Sequence, residues 1–449
     1  MDQPNIILIV LDTLRKDVLP MYGGKAYTPN LNEFAKDSVV FPNAIAPAPW
    51  TLPSHASFFT GLYPREHGIH EYFNAKTNDF DVYSNFNNKT IVEILNDKGL
   101  NTIGFSANGW INISSGFQRG FQYFEQISSD YFDDVHDLNF SKKFVEENMI
   151  SIKKILKNYY KIPQIYRIYK KNRNLQKYYD YPAVKGANLI VNKIYNFSIA
   201  KPFFLFINFV EAHEPHCKWE TGLYKKIFYP GLYYIRDLAN IKRIPSRIMK
   251  DIRKAYVKNL TKLDFYFGEL IKYLKEIKEY DNTLIIVTSD HGQALKEKNY
   301  YGHGIFLYNE IIEVPLIVKF PNNKKIPIMQ GYQSLIDLPD LIKNVFEGNI
   351  IDITKKSVFS ESYGFPDHLY PILKDYNKIK DMRNLYGNPR KAIYKNNYKL
   401  VIGGIEEGSI EEFTYKGRNI DPKDNKEVLE DLLDELEIFK GTEKFVVRK

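Results

Sequence analysis

Apolar residues in this chain come in short unbroken runs separated by amphipathic stretches. Residues 5–11 (Asn-Ile-Ile-Leu-Ile-Val-Leu) are almost wholly aliphatic. Such a run predicts a strand covered on both faces of a sheet. Residues 101–107, 202–210, 283–288 and 315–320 repeat the style. Helical patterns lie between them. Thr28-Pro29-Asn30-Leu31 reads as a turn into a helix with Leu31, Phe34 and Ala35 on its apolar face. Residues 90–98 read as a helix closed near Gly99. Residues 182–199 are amphipathic, and a long helical pattern runs from about 245 to 279.

Strands alternating with helices predict an α/β fold with a doubly wound, mostly parallel sheet. Asp12, His213 and Asp290 each follow the end of an apolar run. Open α/β sheets bind ligands along the carboxyl edge of their strands, so these residues are expected at one site. Residues 390–394 and 398–402 read as a hairpin, and 427–438 as a Leu-rich acidic helix. The expected organisation is a catalytic domain over 1–346 and a small α+β subdomain over 347–449. The first carries a basic helical insertion at about 130–181.

That insertion holds eleven Lys or Arg and two Glu between Lys142 and Lys177. A solvated helical cover is the preferred reading; the alternative is peripheral contact with acidic lipid or glycan through 140–180. The formal net charge of +8 favours anionic partners, and no nucleic-acid partner is expected. The single cysteine, Cys217, excludes an internal disulfide and reads as a buried, inert thiol. With no signal-peptide pattern and no run long enough to span a bilayer, the expected location is cytoplasmic. Oligomeric state is not legible.

The chemistry-bearing segments are Ala48-Pro49-Trp50-Thr51-Leu52-Pro53-Ser54-His55, His213-Glu214-Pro215-His216, Ser289-Asp290-His291-Gly292 and Gly302-His303-Gly304. Two carboxylates and one imidazole suit Mn²⁺, Mg²⁺, Ca²⁺ or Zn²⁺. The joint order of these segments resembles the sulfatase branch of the alkaline phosphatase superfamily. The resemblance implies one divalent ion, Mn²⁺ favoured, held by Asp12, Asp290 and His291 and touched by Thr51 as nucleophile. It implies His213 or His303 as proton donor to the leaving group. It also places His55, Asn108 and His216 at the substrate.

The chain departs from the pattern. Thr51 stands where a Cys or Ser is usually oxidised to formylglycine. Thr13 replaces a second acidic residue, which disfavours Ca²⁺. His55 replaces an Arg. Threonine nucleophiles occur in related lipoteichoic-acid synthases and nucleotide pyrophosphatases; this chain lacks the membrane helices of the former and a clear second-metal set for the latter. The preferred expectation is therefore a phosphate-ester hydrolase or phosphotransferase with a threonine nucleophile. A sulfatase working without formylglycine is the alternative. A non-catalytic binder of anionic glycan or lipid is a third reading.

Overall fold

The computed structural model describes residues 3–70, 87–127, 185–214, 216, 244, 246–364, 386–403 and 408–441. The basic insertion expected at 130–181 and Cys217 lie outside the described residues. The first ten strands are β1 (Asn5–Leu11), β2 (Val39–Ile45), β3 (Asn101–Ser106), β4 (Tyr123–Gln126), β5 (Phe203–Phe209), β6 (Thr283–Thr288), β7 (Ala294–Leu295), β8 (Tyr301–Gly302), β9 (Glu313–Lys319) and β10 (Gln333–Ser334). The remaining five are β11 (Ser357–Ser362), β12 (Arg390–Lys395), β13 (Tyr398–Gly403), β14 (Ile410–Tyr415) and β15 (Arg418–Asn419).

The large sheet has the order β10-β2-β9-β6-β1-β5-β3-β4. Strand β1 lies at its middle, parallel to β5 and β6, and is buried along its whole length. The pleat sends Ile6, Leu8 and Val10 into one core and Ile7, Ile9 and Leu11 into the other. This is why the run is aliphatic without alternation. Helices Thr51–Thr60, Ile91–Asp97 and Leu338–Phe346 cover the first face through Leu52, Phe59, Ile91 and Leu338. Helices Pro29–Asp37, Ala187–Asn196 and Ser246–Glu276 cover the second through Leu31, Ile190 and Leu263. The Thr28-Pro29-Asn30-Leu31 segment is a helix start, and its amides are satisfied from the long helix. Asp264 accepts from the Asn30 and Leu31 N–H groups at 3.0 and 2.8 Å.

The run at 315–320 forms β9, which is antiparallel to both β6 and β2. The link from β6 holds the β7–β8 hairpin and a one-turn helix, Asn309–Ile312, in place of a long crossover helix. The chain therefore re-enters the sheet from the edge it left, which reverses the strand.

The second sheet is antiparallel, β11-β12-β13-β14-β15, with helix Lys426–Lys440 packed on it through Leu432, Leu433 and Leu436. It is stitched to the first part of the chain. The Glu361 N–H donates to the Pro47 carbonyl at 2.9 Å, and Glu361 Oε2 accepts from the Arg65 N–H at 2.9 Å. Lys391 Nζ closes on Glu361 Oε1 at 2.6 Å with both side chains buried. Ser362 Oγ donates to the Ile305 carbonyl at 2.6 Å. Among the described residues, no helix is long and apolar enough to cross a membrane.

Candidate active site

Strands β1, β3, β5 and β6 are parallel, so the segments after them share one edge. Asp12 follows β1, Asn108 follows β3, His213 follows β5, and Asp290 and His291 follow β6. Thr51 reaches the same place as the first residue of helix Thr51–Thr60, where backbone N–H groups have no intrahelical partner and the helix end is positive.

Asp12, Asp290 and His291 are fully buried. Ligand atoms from the three lie within 4.8 Å of one another. His291 Nε2 stands 3.9 Å from Asp12 Oδ1, 3.5 Å from Asp290 Oδ2 and 3.3 Å from Thr51 Oγ1. The other oxygens are committed. Asn108 Nδ2 donates to Asp12 Oδ2, and Asp290 Oδ1 accepts the His291 N–H at 2.9 Å. Asp12 Oδ1 and Asp290 Oδ2 remain buried with no hydrogen-bond partner. His291 Nδ1 donates to the Gly292 carbonyl at 2.9 Å, which leaves Nε2 unprotonated in the neutral ring. Two orphan carboxylate oxygens facing an imidazole lone pair are the donor set of a divalent cation, and these residues fit one. Burial, and next the charge of Asp290, push the Asp12 carboxyl well above its usual range. A cation between them removes that repulsion.

Two residues expected at the substrate hold the site from behind. Asn108 spends both ends of its amide within the protein: Nδ2 goes to Asp12, and Oδ1 accepts from the Trp110 N–H at 2.7 Å. His55 has no exposed surface. Its Nδ1 donates to the Thr51 carbonyl at 2.9 Å, and its Nε2 accepts from Asn208 Nδ2 at 3.0 Å. Rings of Phe58, Phe117 and Phe206 surround it. On its other side His55 Nδ1 stands 3.5 Å from Asp290 Oδ2, so the ring sits between that carboxylate and an aromatic wall. Thr13 does not replace the missing acidic ligand. It takes a left-handed backbone with φ 58°, and its hydroxyl donates to the Asp12 carbonyl at 2.7 Å. His216 is buried edge-on to Tyr256 at 5.3 Å, and neither ring nitrogen has a hydrogen-bond partner.

His303 packs on His291 with ring centroids 4.4 Å apart, and His213 lies 5.2 Å from His303. His213 Nδ1 donates to the Glu214 carbonyl and His303 Nδ1 to Gln293 Oε1, each at 2.7 Å. With Nδ1 so bonded, Nε2 of each ring is left as the position that exchanges a proton. Asn208, Gln293 and Ser289 escaped the sequence reading; each acts by positioning a neighbour. Ser289 Oγ, for example, accepts from the Leu14 N–H at 2.9 Å and donates to the His291 carbonyl at 2.6 Å, tying the β1 and β6 loops together.

The sulfatase family profile matches residues 4–346, more than half of the chain and all of the catalytic edge. The chain belongs to the sulfatase family. A sulfatase of Formosa agariphila is 24% identical over 380 residues, covering 76% of this chain and 70% of that protein. An arylsulfatase of Clostridium perfringens is 24% identical, covering 77% and 74%. Among solved structures, a 2-O GAG sulfatase superposes with TM-score 0.68 at 16% identity, covering 100% of this chain and 95% of that one. The phosphonate monoester hydrolase of Agrobacterium radiobacter gives 0.63 at 16%, covering 99% and 100%. The structural likenesses confirm the α/β sulfatase fold and its antiparallel C-terminal sheet. The relatives are mostly sulfatases, which moves the weight from the phosphate-ester expectation to its sulfate alternative.

This sulfatase-family site should be acid-sensitive for a definable reason. Burial lowers His55 to about 4 and His67, His216 and His291 to about 3. His67 shows why independently: its Nδ1 accepts from the Ile69 N–H at 3.0 Å, a bond that protonation breaks. The unfolded chain takes these protons first, below about pH 6.5. Stability is therefore full above that pH and is lost as pH falls, by up to about 1.4 kcal/mol per pH unit for each group. Asp12 and Glu211, both raised chiefly by burial, work in the opposite direction. The metal-free protein is expected to melt lower at pH 5 than at pH 7, with a shallower decline for His67→Gln. Parallel slopes for the two proteins would remove His67 from the explanation.

Proposed function

We propose that this chain is a divalent-metal-dependent hydrolase of sulfate esters that uses the Thr51 hydroxyl without conversion to an aldehyde. The observation that carries it is Thr51 Oγ1 at 3.3 Å from His291 Nε2, beside the orphan oxygens of Asp12 and Asp290. A divalent ion held by Asp12, Asp290 and His291 supplies hydroxyl acidification and charge neutralisation on the ester. The sulfate assignment draws on the relatives, among them an N-acetylglucosamine-6-O-sulfatase of Bacteroides thetaiotaomicron at 25% identity.

The chain's own residues do the following. Thr51 Oγ bonds to sulfur as the bond from sulfur to the departing oxygen breaks. The proton lost from Oγ equals the one the departing alcohol needs, so the step transfers the sulfuryl group alone. Water then attacks the sulfothreonine, restoring the hydroxyl and releasing sulfate with one proton. His55 and Asn208 fix the backbone of Thr51, and Asn108 fixes Asp12.

Thr51 itself favours a second reading. A threonine ester of phosphate releases by plain hydrolysis, whereas sulfatases commonly use an aldehyde hydrate at this position, and a phosphonate monoester hydrolase shares the fold. The deciding experiment compares p-nitrophenyl sulfate with p-nitrophenyl phosphate mono- and diesters in Mn²⁺. Faster sulfate release is expected. Faster phosphodiester or monoester release transfers the proposal to phosphoryl chemistry. No turnover of any ester by metal-loaded protein supports the non-catalytic binder instead.

A further inference from the structure

The long helix Ser246–Glu276 turns one side to the protein and leaves the other to solvent. Its buried side holds Ile252, Tyr256, Leu260 and Leu263. Its exposed side carries Lys250, Arg253, Lys254, Val257, Lys258 and Phe265. Steps of three and four residues, completed by Thr261, place these positions along one line of the helix surface. From Lys250 to Phe265 that line runs about 22 Å at the helical rise. We propose that it docks on an anionic lipid bilayer.

Two observations carry this. The first is charge. No described exposed position between Ser246 and Phe265 is acidic, and among the described residues Lys250 and Lys254 meet no carboxylate. A helix side that merely faces water ordinarily mixes the two signs, three and four residues apart. Glu297, which Arg253 meets at 3.5 Å, is shared with Arg15 at 2.9 Å. The line as a whole therefore presents uncompensated positive charge.

The second is the pair of apolar side chains set in that line. Phe265 is 51% exposed and Val257 39%. Lysine stems lie along apolar surface while their ammonium groups reach for phosphate, so a ring among lysines suits the boundary between headgroups and acyl chains. A soluble polyanion would engage the lysines and leave Phe265 in water.

Placement gives the docking a consequence. Tyr256, on the buried side of the same turns, accepts from the Arg15 N–H at 2.9 Å and donates to the Thr13 carbonyl at 3.0 Å. Arg253 Nε donates to the Leu295 carbonyl at 2.7 Å, in the β7–β8 hairpin that leads to His303. The basic line is thus fixed to the loop that follows Asp12, at the carboxyl edge of the large sheet. A docked molecule holds that edge close to the membrane surface. Docking does not depend on which ester the site cleaves.

The test is co-sedimentation of full-length protein with vesicles of phosphatidylcholine alone and of phosphatidylcholine mixed with phosphatidylglycerol. Binding is expected on the mixed vesicles only, and it should weaken as salt screens the surface charge. The triple variant Lys250→Gln, Lys254→Gln, Lys258→Gln should lose on the order of 100-fold in affinity. Phe265→Ser should lose roughly 10-fold and keep the salt dependence of the wild type. The basic run between Lys142 and Lys177 is untouched in every variant, so the loss reports the helix face. These side chains are exposed, and a thermal melt confirms that each variant folds. Equal binding by wild type and triple variant, or no binding of the wild type to mixed vesicles, overturns the proposal. Retention on dextran sulfate without retention on vesicles also overturns it, and assigns the face to a soluble polyanion. A protein that binds mixed vesicles through these lysines but turns over no ester keeps the docking face and loses the hydrolase reading.

Discussion

Thr51→Ala is expected to lose about 10³- to 10⁶-fold in turnover while binding metal and melting within about 1 kcal/mol of the wild type. The separation is possible because the side chain does little else. Oγ1 stands 3.3 Å from His291 Nε2, whereas the bond that positions the segment uses the Thr51 carbonyl, which accepts from His55. Alanine keeps that carbonyl and keeps the first helical position. Thr51→Ser restores an oxygen at the same place and should recover much of the activity. Initial rates on the preferred p-nitrophenyl ester, with bound metal measured on the same samples, decide it. Full activity in the alanine protein would show that another oxygen attacks, with Thr51 at most holding a water. Recovery by serine separates a chemical role for the hydroxyl from simple space filling.

Asp290→Asn should reverse the order of stabilities between metal-free and metal-loaded protein. Asn retains an oxygen for the His291 N–H but turns the other position, 3.5 Å from His291 Nε2, into an NH₂ donor. Metal affinity is expected to fall by on the order of 10²-fold or more, since loss of even an outer-shell partner costs 10- to 100-fold. Without metal, the variant should be the more stable of the two. It no longer buries a second carboxylate against Asp12, whose acidity is weakened by burial and next by Asp290. Melting curves in chelator and in excess Mn²⁺ give all four values. If the wild type melts higher in chelator as well, the acidic pair is not the strained feature inferred here.

The strands carrying the site were legible because burial on both faces leaves a one-dimensional signature. Asp12 and Asp290 could be placed at a common edge from apolar runs alone, and the order of motifs supplied the rest of the frame. The reversal of β9 was not legible, since a strand buried on both sides reads the same in either direction. The roles of His55 and Asn108 were also hidden. Residue type announced polar groups near an anion, but whether such a group faces the substrate or the protein depends on partners such as Asn208 and Trp110.

The bond from Glu361 to Pro47 ties a strand of the second sheet to the backbone four residues ahead of Thr51. The match to the family profile ends at residue 346, before that strand begins, although sulfatase structures superpose over the whole chain. The loop that leads into Thr51 is thus held by its own helix on one side and by a strand of the second sheet on the other. The setting of the Thr51 hydroxyl therefore belongs to the two sheets together, and not to the larger one alone.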